Sequence, residues 1–294
     1  MNEKKSPFPS EPRQVKDYIV NLTRTDEYLD AQQEMRQQYG EQIKTASPEA
    51  KRSLTRLALQ GSIAKTAEKV NQQPERHDNV DVSPIYNDIL GALPDLNEGL
   101  TNLENKTGNP KDNKRKIIPF NHKVKKLINH YPSVSPNQLE HMIQNTALVA
   151  HYDSSLADKI NKHIIPGMKH ELAHESNVYF LPGQPEVIDT TVEDELNGID
   201  YRLQFKNGIE ITEDVKKSEE AAIRAQQERD DWRERNHITT PDTHIIIHSG
   251  YTKDDFIPNK IGRVTEEARQ REQPRIDAAI RQKYAELRQA RVSA

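Results

Sequence analysis

Apolar residues in the first half of the chain recur at helical spacing and are separated by polar breaks. Side chains three or four positions apart share one face of a helix, so this pattern predicts helices. Ser47 and Pro136 occupy positions at which serine caps a helix and proline opens one. The predicted helices cover residues 12–39, 47–70, 85–103 and 136–150.

Two polar stretches without periodicity interrupt these helices, at residues 71–83 and 105–119. Polar stretches of this kind are typical of linkers. The sequence therefore predicts an all-helical N-terminal region over residues 1–104, followed by a basic linker over residues 105–120.

The hydrophobic pattern changes in the second half of the chain. A helix beginning at residue 154 or 155 is followed by short apolar or alternating segments, which are typical of strands. The sequence Asn207-Gly208 predicts a two-residue hairpin turn between the second and third strand, because both residues tolerate positive φ. The predicted strands cover residues 178–181, 199–205, 209–215 and 243–248.

Two further helices are predicted around the last strand. Ser218 caps one that runs to about residue 236, with Glu219 and Glu220 in the first turn, where the helix dipole favours acids. Trp232, the single tryptophan, lies on this helix and is expected to be a packing residue rather than a base-stacking platform. The last helix, over residues 265–293, is charged on nearly every face and predicts a solvent-exposed or partner-binding arm.

The composition of the chain limits its domain organisation and the kinds of site that it can form. The 294 residues are 33% hydrophobic and 30% charged, which favours two small units over one large core. No cysteine is present, so disulfides, thiolate zinc sites and a thiol nucleophile are excluded. No apolar run approaches the roughly 20 residues of a membrane span, and the lysines near the N-terminus precede no apolar segment. We expect a soluble, cytoplasmic protein with no membrane partner; export without an N-terminal signal stays open.

Two aspartates and a lysine are brought together by the predicted hairpin. Antiparallel arms would place Asp200 beside Asp214 at the open end, and alternation along the second arm would put Lys216 on the same side as Asp214. Neighbouring carboxylates repel each other unless a hard cation lies between them, and Mg²⁺ or Mn²⁺ prefers such oxygen ligands. A lysine there can orient the attacking water and screen charge on phosphate.

These residues resemble the PD-(D/E)XK nuclease superfamily over about a third of the chain. The resemblance implies an α/β, restriction-endonuclease-like core of helix, three strands, helix and strand with a mixed four-stranded sheet. It also implies hydrolysis of DNA or RNA phosphodiesters, with DNA favoured, using Mg²⁺ or Mn²⁺ held by Asp200 and Asp214, with Lys216 positioning the water. Ile199 stands where the named motif has proline. The superfamily also includes catalytically silent members, so a binding or regulatory module is the alternative.

The resemblance further implies that an acid on the first helix of the core joins the metal site. Glu171 is our first choice, with Asp158 and Glu175 behind it. The predicted nuclease-like domain covers residues 121–262 with its leading helices, and its core covers about 154–252. Residues 263–294 form the charged C-terminal helix. The N-terminal and C-terminal helices are expected to offer surfaces for a protein partner or for self-association.

A second motif, His170-Glu171-Leu172-Ala173-His174, resembles the zincin metalloprotease signature. On a helix, histidines four apart share one face and can hold zinc while the glutamate acts as base. Lys169 and Glu175 put charges beside the motif where zincins keep uncharged residues, and no strand is predicted before it. A zinc peptidase is therefore the second alternative.

A cluster of basic residues upstream of the core is the other candidate for contact with nucleic acid. The net charge of −4 gives no global attraction to a polyanion, so such contacts must be local. Runs of like charge are usually solvated surface, whereas the functional interpretation is a patch that contacts phosphate. The cluster comprises Lys111, Lys114, Arg115, Lys116, Lys123, Lys125 and Lys126.

Overall fold

The computed structural model describes residues 8–73, 83–178, 185–188 and 190–293, and shows an α/β protein that is mostly helical. The chain divides into two compact units between Ile164 and Ile165. Residues 121–164, expected as the leading helices and the first core helix of the nuclease-like domain, lie in the first unit. Within the described ranges, no helix is long and apolar enough to cross a membrane.

The first unit consists of helices around an apolar core. Serines at positions 47, 83 and 135 accept a backbone N–H of the first turn and fix where α3, α4 and α6 begin. Tyr86 and Phe120 are fully buried in the core. The helices are α1 (Pro12–Leu22), α2 (Asp26–Thr45), α3 (Pro48–Gln72), α4 (Pro84–Asn105), α5 (Pro110–His130), α6 (Pro136–Val149) and α7 (Ser155–His163).

Two expectations for this unit were wrong. The single helix predicted over residues 12–39 is two helices, because the hydroxyls of Thr23 and Thr25 bind the carbonyls of Val20 and Leu22 and end α1.

The linker predicted over residues 105–120 is helical from Pro110 onward, as part of α5. Asn109 caps this helix by accepting the N–H of Lys111, and Pro110 opens it. The buried residues Ile118, Phe120 and Val124 of α5 lie along its length, so packing outweighs the polar character of its first turns. Most of the other predicted linker, residues 71–83, lies outside the described residues.

The second unit carries the sheet. Its elements are α8 (Ile165–Val178), β1 (Glu186–Ile188), α9 (Val192–Leu196), β2 (Tyr201–Gln204), β3 (Glu210–Lys216), α10 (Glu219–Arg235), β4 (His244–His248) and α11 (Glu266–Ser293). The strand predicted over residues 178–181 lies outside the described residues, apart from Val178, the last residue of α8. The strands β2, β3 and β4 and the helix α10 confirm the predictions made for them, whereas β1 was not predicted.

The sheet is mixed and has the order β1-β2-β3-β4. β2 pairs with β1 and β3 antiparallel, and β3 pairs with β4 in parallel. The predicted hairpin is confirmed: the N–H of Phe205 donates to the carbonyl of Ile209 at 2.9 Å. Gly208 takes φ +77° in the turn, a conformation that suits glycine.

The apolar face of the sheet is covered by α11, so the prediction of a solvent-exposed C-terminal arm was wrong. Ile276, Ile280 and Leu287 are buried in one core cluster with residues of β2, β3 and β4. The guanidinium of Arg291 donates to the carbonyls of Asn207 and Gly208 at 3.2 and 2.7 Å, which ties the end of α11 to the hairpin. The sparse apolar residues of this helix are thus sufficient for one buried stripe.

Candidate active site at the β2–β3 pair

The hairpin brings Asp200 and Asp214 together, as the sequence predicted. The N–H of Asp200 donates to the carbonyl of Glu213 at 2.7 Å, extending the antiparallel ladder by one residue. The N–H of Val215 then donates to Oδ2 of Asp200 at 2.7 Å, which fixes this carboxyl group against β3. The carboxyl groups of Asp200 and Asp214 are within hydrogen-bond reach of each other.

Lys216 completes the cluster two positions beyond Asp214. Alternation along β3 places both side chains on one face of the sheet, and Nζ of Lys216 lies 2.5 Å from Oδ1 of Asp214. The lysine side chain keeps 30% of its exposure while that of Asp214 keeps 7%. Solvent therefore reaches the cluster from the lysine side.

Burial of Asp214 dominates the electrostatics of the cluster. Desolvation raises the pKa of Asp214, the ammonium of Lys216 and the neighbouring Asp200 oppose that rise, and the charge of Glu171 adds to it. Removing a carboxylate from water favours its neutral form, whereas a nearby cation restores the charged one. Asp214 is thus a buried acid whose charged form is stabilised by any positive charge placed beside it.

The loop before β2 is shaped around Asp214. Thr191 caps the short helix α9, and the N–H of Ile199 donates to the carbonyl of Asp194 at 2.9 Å where the helix ends. Gly198 takes φ +77°, and a Cβ there would lie 3.3 Å from Oδ2 of Asp214. A glycine is therefore needed both for the turn and for the close approach of the carboxylate.

Arg202 fixes the same loop to the sheet. Its guanidinium pairs with Asp194 of α9 and with Glu210 of β3, the latter at 2.5 Å. The arginine holds the pKa of Asp194 at about 2, because its hydrogen bonds stabilise the charged carboxylate. Two of the acids near the candidate site thus share one cation as a partner.

The three candidate first-helix acids differ in their position. Asp158 lies on α7, in the first unit. Glu171 and Glu175 lie on α8, and the charges of both raise the pKa of the buried phenol of Tyr201, after the larger effect of desolvation. The charge of Glu171 also raises the pKa of Asp214, so Glu171 remains our first choice for the helix acid of the metal site.

The histidines of the zincin-like motif contact different partners. Nδ1 of His170 lies 2.7 Å from Oγ of Ser249, just beyond β4. Nε2 of His174 lies 3.0 Å from Oε2 of Glu213, in the middle of β3. Over the described ranges, no three histidine, aspartate or glutamate groups converge as a cation site.

The basic cluster of the sequence lies on α5 in the first unit, and α4 neutralises part of it. Lys116 pairs with Glu98, and Lys123 pairs with Asp88 at 3.3 Å. The residues of the cluster that are classed as exposed are Lys111, Lys114, Arg115 and Lys126, of which Arg115 lies 3.6 Å from Asp112. These pairs leave a smaller basic surface than the sequence suggests.

Three structural features of the second unit were not predicted. Glu213 is fully buried, although its neighbours in sequence gave no reason to separate it from the other acids of the segment. Gly198 shapes the loop beside Asp214. His248 pairs with Lys216 in the parallel register, and the strand that it would pair with was not predictable from the sequence.

Comparison with protein families, with curated proteins and with solved structures found no match to this chain. The functional argument therefore depends on the site itself. Two carboxyl groups and a lysine on one sheet face can hold a hard cation, orient a water molecule and screen developing negative charge.

Proposed function

We propose that the second unit is a metal-dependent nuclease that hydrolyses phosphodiester bonds of nucleic acid, with DNA favoured over RNA. One observation carries the proposal: Asp200, directly before β2, lies beside Asp214 of the antiparallel strand β3, and Lys216 contacts Asp214 at 2.5 Å on the same face. A purely solvated hairpin face would not bury an aspartate to 5% exposure.

The element order of this unit supports the same proposal. A helix (α8), three strands (β1, β2 and β3), a helix (α10) and a strand (β4) follow one another, with the short α9 inserted between β1 and β2. The first three strands are antiparallel and β4 is parallel to β3. This is the order expected from the resemblance to the PD-(D/E)XK superfamily. Because folds are shared by unrelated functions, it counts as secondary support.

Asp200 and Asp214 carry oxygen ligands of the kind that a hard cation prefers, which supports a cation held by this pair. Desolvation raises the pKa of Asp214 even with Lys216 beside it, because a buried carboxylate is costly to keep charged. A divalent ion held by Asp200 and Asp214 would lower that desolvation cost. Glu171, whose charge raises the pKa of Asp214, is our candidate for an additional oxygen ligand. Bound Mg²⁺ or Mn²⁺ would supply Lewis-acid stabilisation of the phosphoryl oxygens.

We assign Lys216 the role of orienting the nucleophilic water. Its ammonium sits on the exposed side of the cluster, where it can donate to an attacking water and to a phosphoryl oxygen. Asp200 is held by the backbone of Val215 and keeps its carboxyl group in place during the reaction. Water attacks phosphorus directly in this scheme, with no covalent intermediate on the protein. One ester bond of phosphorus breaks, its oxygen leaves as the alcohol after taking up a proton, and the proton that the water loses passes to solvent.

The decisive experiment compares cleavage of labelled duplex and single-stranded DNA by the wild type, Asp214→Asn, Lys216→Gln and Lys206→Gln in Mg²⁺, Mn²⁺, Zn²⁺ and EDTA. Lys206 is exposed in the hairpin turn, at the other end of β3, and serves as the matched lysine control. We expect Asp214→Asn and Lys216→Gln each to lose at least about 100-fold in rate, and Lys206→Gln to keep wild-type activity. Cleavage that survives both site variants would contradict the proposal.

The alternative function, a nuclease-like module that binds or regulates without catalysis, has one observation in its favour. Lys216 and Asp214 already pair with each other, and Asp200 accepts the N–H of Val215, so these groups satisfy one another as a structural cluster. Binding of nucleic acid without cleavage in any of the metals would favour this alternative. Zinc-dependent cleavage of casein would instead favour the peptidase.

A further inference from the structure

The carboxyl ends of β3 and β4 meet at one edge of the sheet, because these two strands are parallel. Lys216 is the register partner of His248, and the N–H of Ser249 donates to the carbonyl of Lys216 at 2.8 Å. Register partners of parallel strands share a face, as the contact of 2.9 Å between Thr212 and His244 confirms for the other end of this pair. His248 therefore stands beside Lys216 on the face that carries Asp214.

Helix α8 adds the ring of His170 and the neighbouring Lys169 to this edge. His170 binds Ser249 at 2.7 Å, which places its ring next to the residue that follows His248. Burial lowers the pKa of His170, and the charges of His248 and Lys217 lower it further. The charge of Lys169 also lowers the pKa of His170, whereas the charge of Glu171 raises it. Lys169, Lys217 and His248 thus lie within electrostatic range of His170.

The basic residues around His170 lack the acidic partners that Arg202 and Lys216 have. Within the described part of the chain, no ion pair joins Lys169, Lys217 or His248 to a carboxylate. Arg202 and Lys216 are by contrast both paired with acids. Lys217 is exposed, and Lys169 and His248 are partly exposed. Like charges held together without a counterion raise the local potential and attract an anionic ligand.

We propose that Lys169, His170, Lys217 and His248, here called the basic edge, bind the phosphodiester backbone of nucleic acid next to Asp214. The inference rests on the proposed function, because the edge directly continues the Asp214–Lys216 cluster. A polymer with one negative charge per nucleotide reaches the edge and the cluster together, and the edge offsets the repulsion that Asp200, Asp214 and Glu171 exert. Contacts to phosphate carry no sequence information, so binding is indifferent to sequence.

The test is a salt titration of binding, measured by fluorescence anisotropy with a labelled DNA duplex of mixed sequence. Ca²⁺ is added so that the acids are neutralised, and the series is repeated in EDTA. The variants are Lys217→Gln, Lys217→Gln with Lys169→Gln, and the control Lys206→Gln. Each phosphate contact removed lowers the slope of log K against log salt by roughly 0.9, so the double variant is expected to lose about two units and at least about tenfold in affinity. Lys206→Gln is expected to match the wild type.

The outcomes separate the basic edge from the nuclease. An unchanged slope in the double variant, or no binding by the wild type, would overturn the basic edge whether or not the protein cleaves DNA. A reduced slope together with absent cleavage in Mg²⁺ and Mn²⁺ would keep the edge and remove the proposed activity. Competition by polyglutamate at equal charge concentration would assign the edge to acidic peptides and overturn the phosphodiester assignment. Circular dichroism of each variant checks that the fold is intact.

Discussion

Nε2 of His174 lies 3.0 Å from Oε2 of Glu213, and both side chains are fully buried. The contact joins α8 to β3 one residue before Asp214. The other ring nitrogen of His174 and the other carboxyl oxygen of Glu213 have no hydrogen-bond partner among the described residues. The strand that carries the candidate site is therefore fixed to α8 by a polar pair whose desolvation is only partly compensated.

Breaking this pair should destabilise the second unit strongly. His174→Leu leaves the Glu213 carboxyl group buried without its partner, and removing one member of a buried pair costs about 3–5 kcal/mol. The double variant His174→Leu with Glu213→Leu should recover part of that loss, because both desolvated groups are gone. Urea unfolding followed by the fluorescence of Trp232, the only tryptophan, reports on the unit that contains the pair. Additive losses in the double variant would show that the pair has no coupling energy.

Local signals predicted the centre of the second unit well. Asn207-Gly208 fixed the turn, the alternation on each side fixed the register, and this placed Asp200 opposite Asp214. Turn chemistry and side-chain alternation act between near neighbours, so a sequence shows them directly. The positions of Asp200, Asp214 and Lys216 within the hairpin follow from these two effects alone.

Contacts between distant segments were the part that the sequence did not show. Helix α11 looks charged on every face because its buried residues are few, yet they meet a sheet face formed about 30–85 positions earlier. The three residues of β1 are too few to produce a periodic signal, and only pairing with β2 makes them a strand. His174 drew attention through a zinc motif, whereas Glu213, its actual partner, is far away in the sequence.

Substitution of Gly198 should disturb the candidate site more than substitution of a glycine with the same backbone conformation. Gly198 and Gly208 both take φ +77°, and alanine in this region costs about 1–2 kcal/mol. Only at Gly198 does the added Cβ meet a carboxyl oxygen, at 3.3 Å; at Gly208 the nearest atom is on Arg291 at 3.9 Å. Both variants should lose similar stability in urea, and only Gly198→Ala should lower the cleavage rate beyond that. Equal activity in the two variants would show that the loop does not set the position of Asp214.

Truncation of α11 side chains should reveal that this helix is part of the core. Ile276 is fully buried against the sheet, whereas Val292 keeps 84% of its exposure near the end of the same helix. Ile276→Ala should cost about 2–5 kcal/mol through lost burial and the cavity left behind. Val292→Ala should change the unfolding free energy by less than about 0.5 kcal/mol. Tryptophan-detected urea unfolding measures both, and a small loss at Ile276 would restore the picture of an independent arm.

His244 should make the second unit less stable as the pH falls. Burial, aided by the charge of Arg229, lowers the pKa of His244 from 6.5 to about 4. The unfolded chain therefore binds a proton that the folded chain does not between these two values, so the unfolding free energy falls as the pH drops through this window and is fully retained above pH 6.5. The two pKa values correspond to a loss of about 3 kcal/mol.

The variant His244→Gln isolates this effect, because glutamine does not titrate and can still reach Oγ1 of Thr212, which lies 2.9 Å from Nδ1 of His244. Urea unfolding followed by Trp232 fluorescence should give two curves that run parallel above pH 6.5. Between there and pH 4 the wild type should lose about 3 kcal/mol more than the variant, so that any advantage of the histidine shrinks or reverses. A constant difference between wild type and His244→Gln would mean that His244 titrates alike in the folded and unfolded chain, and that its burial against Thr212 does not exclude the charged form.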